Sequence, residues 1–532
     1  MLRKILLIMI VMGAMILNRS SMAHGVKPKG VTTFGAPEGC PIPVSPDYSV
    51  SVNGHSPFVY GTLSRTGDGN GVTVPKVDQG YCYYDTTDAS NIVTVTVKNA
   101  SIPLNNIVIR PRSYHIIPRI NKKARTITFS LKAGKNVMLD PGYPAPHATM
   151  YPALAIFANV QYANPPSGPN VIDLKPGYYT GIYTVSSNQT LYLEPGAFLE
   201  GEVIAATGAT NVTIMGHGII DQSVSSYGPD VMCRQVSDLK IDGIICTQTP
   251  SITWGIVPID CTNVTINNVK RLSYKPNSDG IDLCGCSNVN VRNCFVRSSD
   301  DSIVVKGSIP YWGKMPLMPT NNVTVTGCVL WNDDASDISV GEETMGQNIS
   351  NVTFSNIDVI GAYFASVINI NNGEGGEISN IHFNNIRVED MDPTYCDDML
   401  WPYNNNDHRY SFPAPQAATP GCHLIMVDAG NDVYNDQNPV YANKTSSIRN
   451  VTFSNISVTT KPWAQLPYSE IDGYNSVNIV KGVRFNNISL NGKKIRSKTS
   501  PMIGAYPWLG NRSTGNGGWP SLSYDSNVTV YP

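Results

Sequence analysis

The 532-residue chain carries 15% charged side chains and a formal net charge of −2. That balance lacks the basic surplus that nucleic acid or an anionic membrane surface attracts. The length is ample for one large domain and a smaller one, and plentiful Gly, Asn, Ser and Thr suit an all-β protein acting on a neutral partner.

The N-terminus places Arg3 and Lys4 before the apolar run Ile5 to Leu17, then Ser21-Met22-Ala23, a small-x-small site. Residues 1–23 therefore read as a signal peptide, because the run is too short for a bilayer core of about 30 Å. With no second long apolar run, the expected mature protein is soluble, secreted and monomeric, with neither nucleic acid nor membrane as partner. Among the 11 cysteines, Cys40 with Cys82, Cys396 with Cys422, and Cys233 with Cys246 are candidate disulfides, although pairing is not readable from spacing. Cys284-Gly285-Cys286 lacks the second ligand pair of a zinc site, and the His residues form no cluster, so neither metal nor cofactor is expected.

Residues 24–170 hold alternating segments such as Asn91–Val97, Asn106–Arg110 and Arg125–Leu131, separated by Gly, Pro and Asn. That pattern predicts an N-terminal β-sandwich domain. From residue 171 to 532 a repeat takes over. The segments beginning at Asn211, Asp238, Asn263, Asn288, Asn322, Asn351, Asn380 and Asn450 share one pattern, and Ile244, Val269, Cys294, Cys328, Ile357, Ile386 and Ile456 recur at one offset within it. A column of small or β-branched residues at such intervals is what a right-handed parallel β-helix stacks along its axis. Cys294 and Cys328 then read as core thiols, and the Asn-x-Thr/Ser matches as the repeat itself. The long intervals, Pro310–Thr320 and Met391–Ser447, project aromatic loops containing Tyr311, Trp312, Tyr395, Trp401, Tyr403, His408 and Tyr410, suited to the flat apolar faces of sugar rings.

A second register carries the chemistry. Ile281 and Leu283, Ile303 and Val305, Ile338 and Val340, and Ile368 and Ile370 alternate with polar residues, so these pairs should point inward on successive coils. The residues left outside are Asp279 and Asp282, Asp301 and Lys306, Ser339 and Gly341, and Asn369 and Asn371. Asp279 precedes the pair Asp300-Asp301 by one coil, a sheet step of about 4.8 Å. Taken alone, Asp-Gly and Asp-Asp mark turns. Three carboxylates on one face form a group that cannot all ionise at ordinary values, which supplies an acid beside bases.

Here the chain resembles the β-helical inverting hydrolases, glycoside hydrolase families 28 (polygalacturonases) and 49 (dextranases and isopullulanases), through Asn277-Ser278-Asp279-Gly280 followed by Asp300-Asp301. The resemblance implies Asp300 as general acid and Asp279 and Asp301 as the groups activating water, with acid and base about 6.5–9.5 Å apart. It implies a polysaccharide partner, with Asp282, Lys306, Trp312, Asn369, Asn371 and Trp401 as candidate substrate contacts. Where the polygalacturonase pattern places Gly-His-Gly and then Arg-Ile-Lys, this chain has Ser336–Gly341 and Asn369-Ile370-Asn371, so the cations that grip a uronate are absent there. The dextranases lack that clamp and carry a preceding β-sandwich. Glu342-Glu343 belongs to neither pattern. A dextran-type neutral glucan is the expected substrate. The alternatives are a pectic chain, a β-eliminating lyase with the aspartates around Ca²⁺, and a non-catalytic β-helix that binds.

Overall fold

A computed structural model describes residues 30–64, 78–142, 151–222, 228–247, 253–274, 277–309, 317–333, 335–362, 366–391, 423–429, 445–462, 467–473, 476–496, 509–510, 525–526 and 528–531. The expected signal peptide, Trp312, Trp401 and the other aromatic loop residues lie outside the described residues, as do Cys396 and Cys422. No helix among the described residues is long and apolar enough to cross a membrane.

The N-terminal strands form two sheets. In one, Tyr48–Val52, Ser90–Val97, Thr126–Lys132 and Arg119–Asn121 pair antiparallel in that order. The other centres on Asp78–Thr86, which pairs parallel with Ala153–Val160 and antiparallel with Val31–Thr33. Alternation decides which side chains go where: Cys82 and Tyr84 enter the apolar core between the sheets, while Tyr81 and Tyr83 face the other way. These tyrosines, with Tyr60 and Phe157, pack on Phe198, Ile219, Ile245, Leu272, Phe295 and Trp331 of the following coils. Buried polar contacts cross the same boundary. Arg110 pairs with Glu389 at 2.8 Å and Asp390 at 2.7 Å, and His217 meets Asp85 at 2.9 Å.

From Val171 onward each coil contributes strands to three parallel ladders. The first runs through Thr210–Gly216, Ser237–Asp242, Thr262–Asn267, Ser287–Arg292 and Thr320–Thr326. Its register aligns Val212, Leu239, Val264, Val289, Val323, Val352, Ile381 and Val451, the alignment the repeat anticipates. The inward columns merge into one continuous core that includes Ile244, Val269, Cys294, Cys328, Ile357, Ile386 and Ile456. Further along, Phe354, Phe383, Phe453 and Phe485 stack with centroids 5.4, 4.9 and 5.0 Å apart.

The repeat's leading Asn has a purpose that its hydropathy does not show. Asn211, Asp238, Asn263, Asn288, Asn322, Asn351, Asn380 and Asn450 all adopt φ between 55° and 58°. Asn and Asp enter this left-handed region more readily than other side chains. At the surface their amides form a ladder, with Asn288 donating to Asn263 at 3.1 Å and Asn322 to Asn288 at 2.8 Å.

Two disulfide expectations need correction. Cys40, Cys82, Cys233 and Cys246 are free thiols. Cys82 points into the sandwich core while Cys40 packs against the cluster on the opposite face of that sheet. Cys233 is in register with Ala205 and Pro258, whereas Cys246 is in register with Ile220 and Arg271 on another ladder.

Candidate functional site

The third ladder presents the aspartates. Its strands Ile281–Cys284, Ile303–Lys306, Ser336–Gly341, Ser366–Asn371 and His423–Ala429 align Ile281, Ile303, Ile338, Ile368 and Ile425, and then Leu283, Val305, Val340, Ile370 and Val427. All of these are buried in the core, so the inward pairs follow the alternation in the sequence. Outward neighbours differ in one respect: Asp282 stands opposite Val304, and Lys306 stands opposite Cys284.

Asp279 and Asp301 sit where each coil turns into this ladder. The amide of Gly280 donates to the Asp301 carbonyl at 2.8 Å, which stacks the two aspartates on adjacent coils. Gly280 is required there because a Cβ would lie 2.2 Å from the Ser302 carbonyl oxygen. One carboxylate oxygen from each of Asp279, Asp300 and Asp301 lies within 4.8 Å of the others. That is shorter than the span of about 6.5–9.5 Å expected between an inverting acid and base. Oxygens so grouped also have the donor chemistry to hold a divalent cation.

Asp279 and Asp301 are buried and Asp300 keeps partial exposure. The Asp300 oxygens accept the backbone N–H of Asn277 at 2.8 Å and of Asp301 at 2.9 Å. Burial and then the charge of Asp279 nonetheless raise its pKa to about 7. Asp301 accepts the Ser336 N–H at 3.1 Å, and burial, then Glu342 and Asp300, push it well above the ordinary range. Burial and Asp282 push Asp279 up as well, and Asp282 itself is raised to about 6, chiefly by burial. The protons of such a group belong to the set rather than to single residues.

Lys306 is the single Lys or Arg on these five strands. It is 3% exposed, and its Nζ lies 2.7 Å from Glu343 and 3.3 Å from both Asp279 and Asp282. Burial alone would lower its pKa, but Glu343, Asp279 and Asp282 hold it well above the usual value. The ammonium also stands 3.5 Å from the ring centroid of Trp254, whose Nε1 donates to Asn277.

The Asn277-Ser278-Asp279-Gly280 and Asp300-Asp301 motifs thus converge with Asp282 and Lys306. Asn369 is buried on the second coil beyond, where Nδ2 donates to Glu342 Oε1 at 2.6 Å, and Asn371 is half-buried beside Gly341. Sequence reasoning placed neither Glu342, Glu343 nor Trp254 in this group. Glu342-Glu343 stood out only as a departure, and Trp254 had no signal beyond preceding a coil.

Asn332 was missed as well. Its Nδ2 donates to the carbonyls of Asp300 at 2.6 Å and Ser336 at 3.0 Å, while Ser298 Oγ donates to the Asp300 carbonyl at 2.7 Å. This amide braces the Asp300-Asp301 segment against the next coil. Asn332→Ala is expected to destabilise the chain by about 1–3 kcal/mol for the buried groups left unpaired. A denaturant midpoint equal to wild type would show that the brace is dispensable.

Among known proteins, the profile of Glycosyl hydrolases family 28 matches residues 196–406, which include all three aspartates. A probable polygalacturonase of Vitis vinifera is 26% identical over 157 residues, 29% of this chain and 31% of that protein. An isopullulanase of Aspergillus niger is 23% identical over 350 residues, 55% of this chain and 59% of that protein. The chain thus spans from about a third to three-fifths of the length of these curated relatives. Of the solved structures, Dex49A from Penicillium minioluteum superposes with a TM-score of 0.59 at 14% identity, covering 94% of this chain and 96% of that one. That likeness concerns the fold.

Proposed function

We propose that this chain, a member of the β-helical glycoside hydrolase superfamily, is an exported inverting hydrolase of a neutral α-linked polysaccharide, with a dextran-type glucan first. Residues 24–170 are its β-sandwich domain and residues 171–532 its catalytic domain. The state of Lys306 carries the choice of a neutral substrate. Three carboxylates already surround this cation, and Asp301 and Glu342 add further acidic groups with no second Lys or Arg on the five strands. A uronate would enter a field of its own sign.

In the proposed reaction Asp300 gives its proton to the leaving glycosidic oxygen as the bond to the anomeric carbon breaks. Water attacks that carbon from the opposite face and loses its proton to the Asp279–Asp301 pair. Asp282 and Lys306 hold Asp279, and Asn369, Asn371, Trp312 and Trp401 contact the sugar.

The second reading is a pectic substrate, favoured by the polygalacturonases among the relatives. Incubation with dextran and with polygalacturonate, with and without chelator, separates the readings. Turnover of polygalacturonate with a kcat of about 1–10³ per second would overturn the neutral-substrate assignment. Loss of activity with chelator, together with an unsaturated product, would indicate elimination. The close spacing of the carboxylates makes product stereochemistry informative, and NMR at the first turnover is expected to show the inverted anomer.

A further inference from the structure

Strand Asp78–Thr86 of the N-terminal sheets turns Gln79, Tyr81 and Tyr83 to one face, since alternate residues of a strand share a side. Tyr81 and Tyr83 join the apolar cluster against the coils. Gln79 is fully buried on the same face, a polar group beside aromatic ones. Its partner accounts for it. On the coils, one outward column reads Leu272, Arg297 and Trp331 in register, and Arg297 is as deeply buried as its apolar neighbours. A guanidinium withdrawn from water is costly unless its N–H groups find acceptors. Asp333 accepts Nε at 2.8 Å and Nη2 at 3.1 Å, the Trp331 ring centroid lies 4.3 Å from the guanidinium carbon, and Gln79 Oε1 accepts Nη1 at 2.9 Å. The same Oε1 accepts the Tyr274 hydroxyl, while Gln79 Nε2 has no hydrogen-bond partner. The contact between the N-terminal sheets and Arg297 therefore runs through one acceptor oxygen.

The sequence neighbours of this clamp hold the aspartates. Ser298 follows Arg297, and its Oγ donates to the Asp300 carbonyl at 2.7 Å. Asn332 precedes Asp333, and its Nδ2 donates to the same carbonyl at 2.6 Å. The Asp333 N–H donates to the Ser298 carbonyl at 2.9 Å, which ties the two pairs together. A displacement of Arg297 or Asp333 thus reaches the peptide that joins Asp300 to Asp301.

We propose that Gln79 is a positioning residue for Asp300-Asp301: through its hold on Arg297, the N-terminal sheets set the placement of these aspartates where the coil enters the third ladder. The N-terminal strands are then a working part of the site and not an appended module. The proposal rests on the hydrolase reading for its effect on turnover, but not for the coupling itself.

The test uses the full chain. Gln79→Leu keeps most of the side-chain volume and removes the acceptor. On whichever of dextran and polygalacturonate the wild type cleaves, kcat per folded molecule is expected to fall about 10–10²-fold, the scale of a displacement of about 1 Å, with KM little changed. Hydrogen–deuterium exchange followed by mass spectrometry should quicken at residues 297–303 more than in the coils on either side. Gln79→Asn, shorter by one methylene, withdraws the same oxygen and should act in the same direction, so the test survives a Leu variant that fails to fold. Gln79→Glu retains that oxygen and gives up only the unpartnered Nε2, and it should restore most of kcat. Tyr83→Phe is the comparison, because it breaks another buried contact across the same boundary, where the Gly196 N–H donates to the hydroxyl at 3.0 Å. It is expected to lower the melting temperature without changing kcat. Wild-type kcat in both Gln79→Leu and Gln79→Asn, a loss confined to KM, an equal loss of kcat in Tyr83→Phe, failure of Gln79→Glu to restore kcat, or unchanged exchange at residues 297–303 would each overturn the proposal. If the wild type cleaves neither polymer, the hydrolase reading fails and the exchange measurement alone decides the coupling.

Discussion

Asp300→Asn is expected to lower kcat on natural polymer by about 10²–10⁴-fold, and to lower it much less on a glycoside with an activated leaving group. A good leaving group needs little protonation, so the contrast isolates the role of acid. The structure makes this a demanding test. Two backbone N–H groups point at the Asp300 carboxylate, whereas Asp301 receives one at 3.1 Å. Counted by donors alone, Asp300 would be the better base, and Asp279 and Asp301 are pushed up as well by burial and neighbouring charge. Two features support Asp300 as acid: its partial exposure, which lets it meet a leaving oxygen, and a pKa of about 7, which leaves it partly protonated near neutrality.

The pH dependence follows from the same shift. As pH rises past about 7 the proton on Asp300 is lost, so kcat/KM should fall on the alkaline side. On the acid side it should fall as the raised Asp279–Asp301 pair takes up a proton, giving a bell whose limbs belong to the coupled set. Linkage acts in the same window. The folded pKa of Asp300 lies above its unfolded value, so the native state binds more protons there. That contribution to stability is full below about 4 and is lost as pH rises through about 7. Equal losses on activated and natural substrates in Asp300→Asn would assign the acid role elsewhere in the trio. A natural-polymer rate within a few-fold of wild type would remove the trio from the active site altogether.

The largest effect on stability is expected from Lys306→Met, about 3–5 kcal/mol, because it leaves buried carboxylates without their cation. Met retains much of the apolar stem against Trp254, so the loss reports charge rather than a cavity. Asp279, Asp282 and Glu343 would remain crowded in a buried space. Protonation relieves them, so the gap between variant and wild type should narrow as pH falls. Wild-type stability from Lys306 itself is fully present below its unfolded pKa of about 10.4 and is lost as pH rises through its raised folded value. Denaturant midpoints at pH 5 and pH 8 provide the measurement. A variant as stable as wild type at both would mean that these carboxylates do not depend on Lys306.

The inward residues of the third ladder were legible because a two-residue alternation in the sequence becomes an inside-outside alternation in any strand. Where the outward residues meet was less legible. Asp282 and Lys306 are not opposite one another, yet the long Lys306 side chain reaches back to Asp282, Asp279 and Glu343. Reach across coils depends on side-chain length and on where the backbone turns, and neither follows from spacing. Two of the three cysteine pairings failed for a related reason: Cys40 and Cys82 proved to lie on opposite sides of one sheet, and Cys233 and Cys246 on different ladders.

By itself, the sequence determined the coil period, the stacked core and the convergence of Asp279 with Asp300-Asp301, because each depends on residues spaced by one repeat and the repeat is written in the chain. The tertiary structure alone decided how the site is charged. Left-handed turns re-aim Glu342 and Glu343, coil stacking brings Trp254 to Lys306, and burial converts ordinary carboxylates into a group that shares protons. These outcomes depend on backbone direction at single residues and on exclusion of water by neighbouring coils, which are properties of the packed fold and of no local pattern.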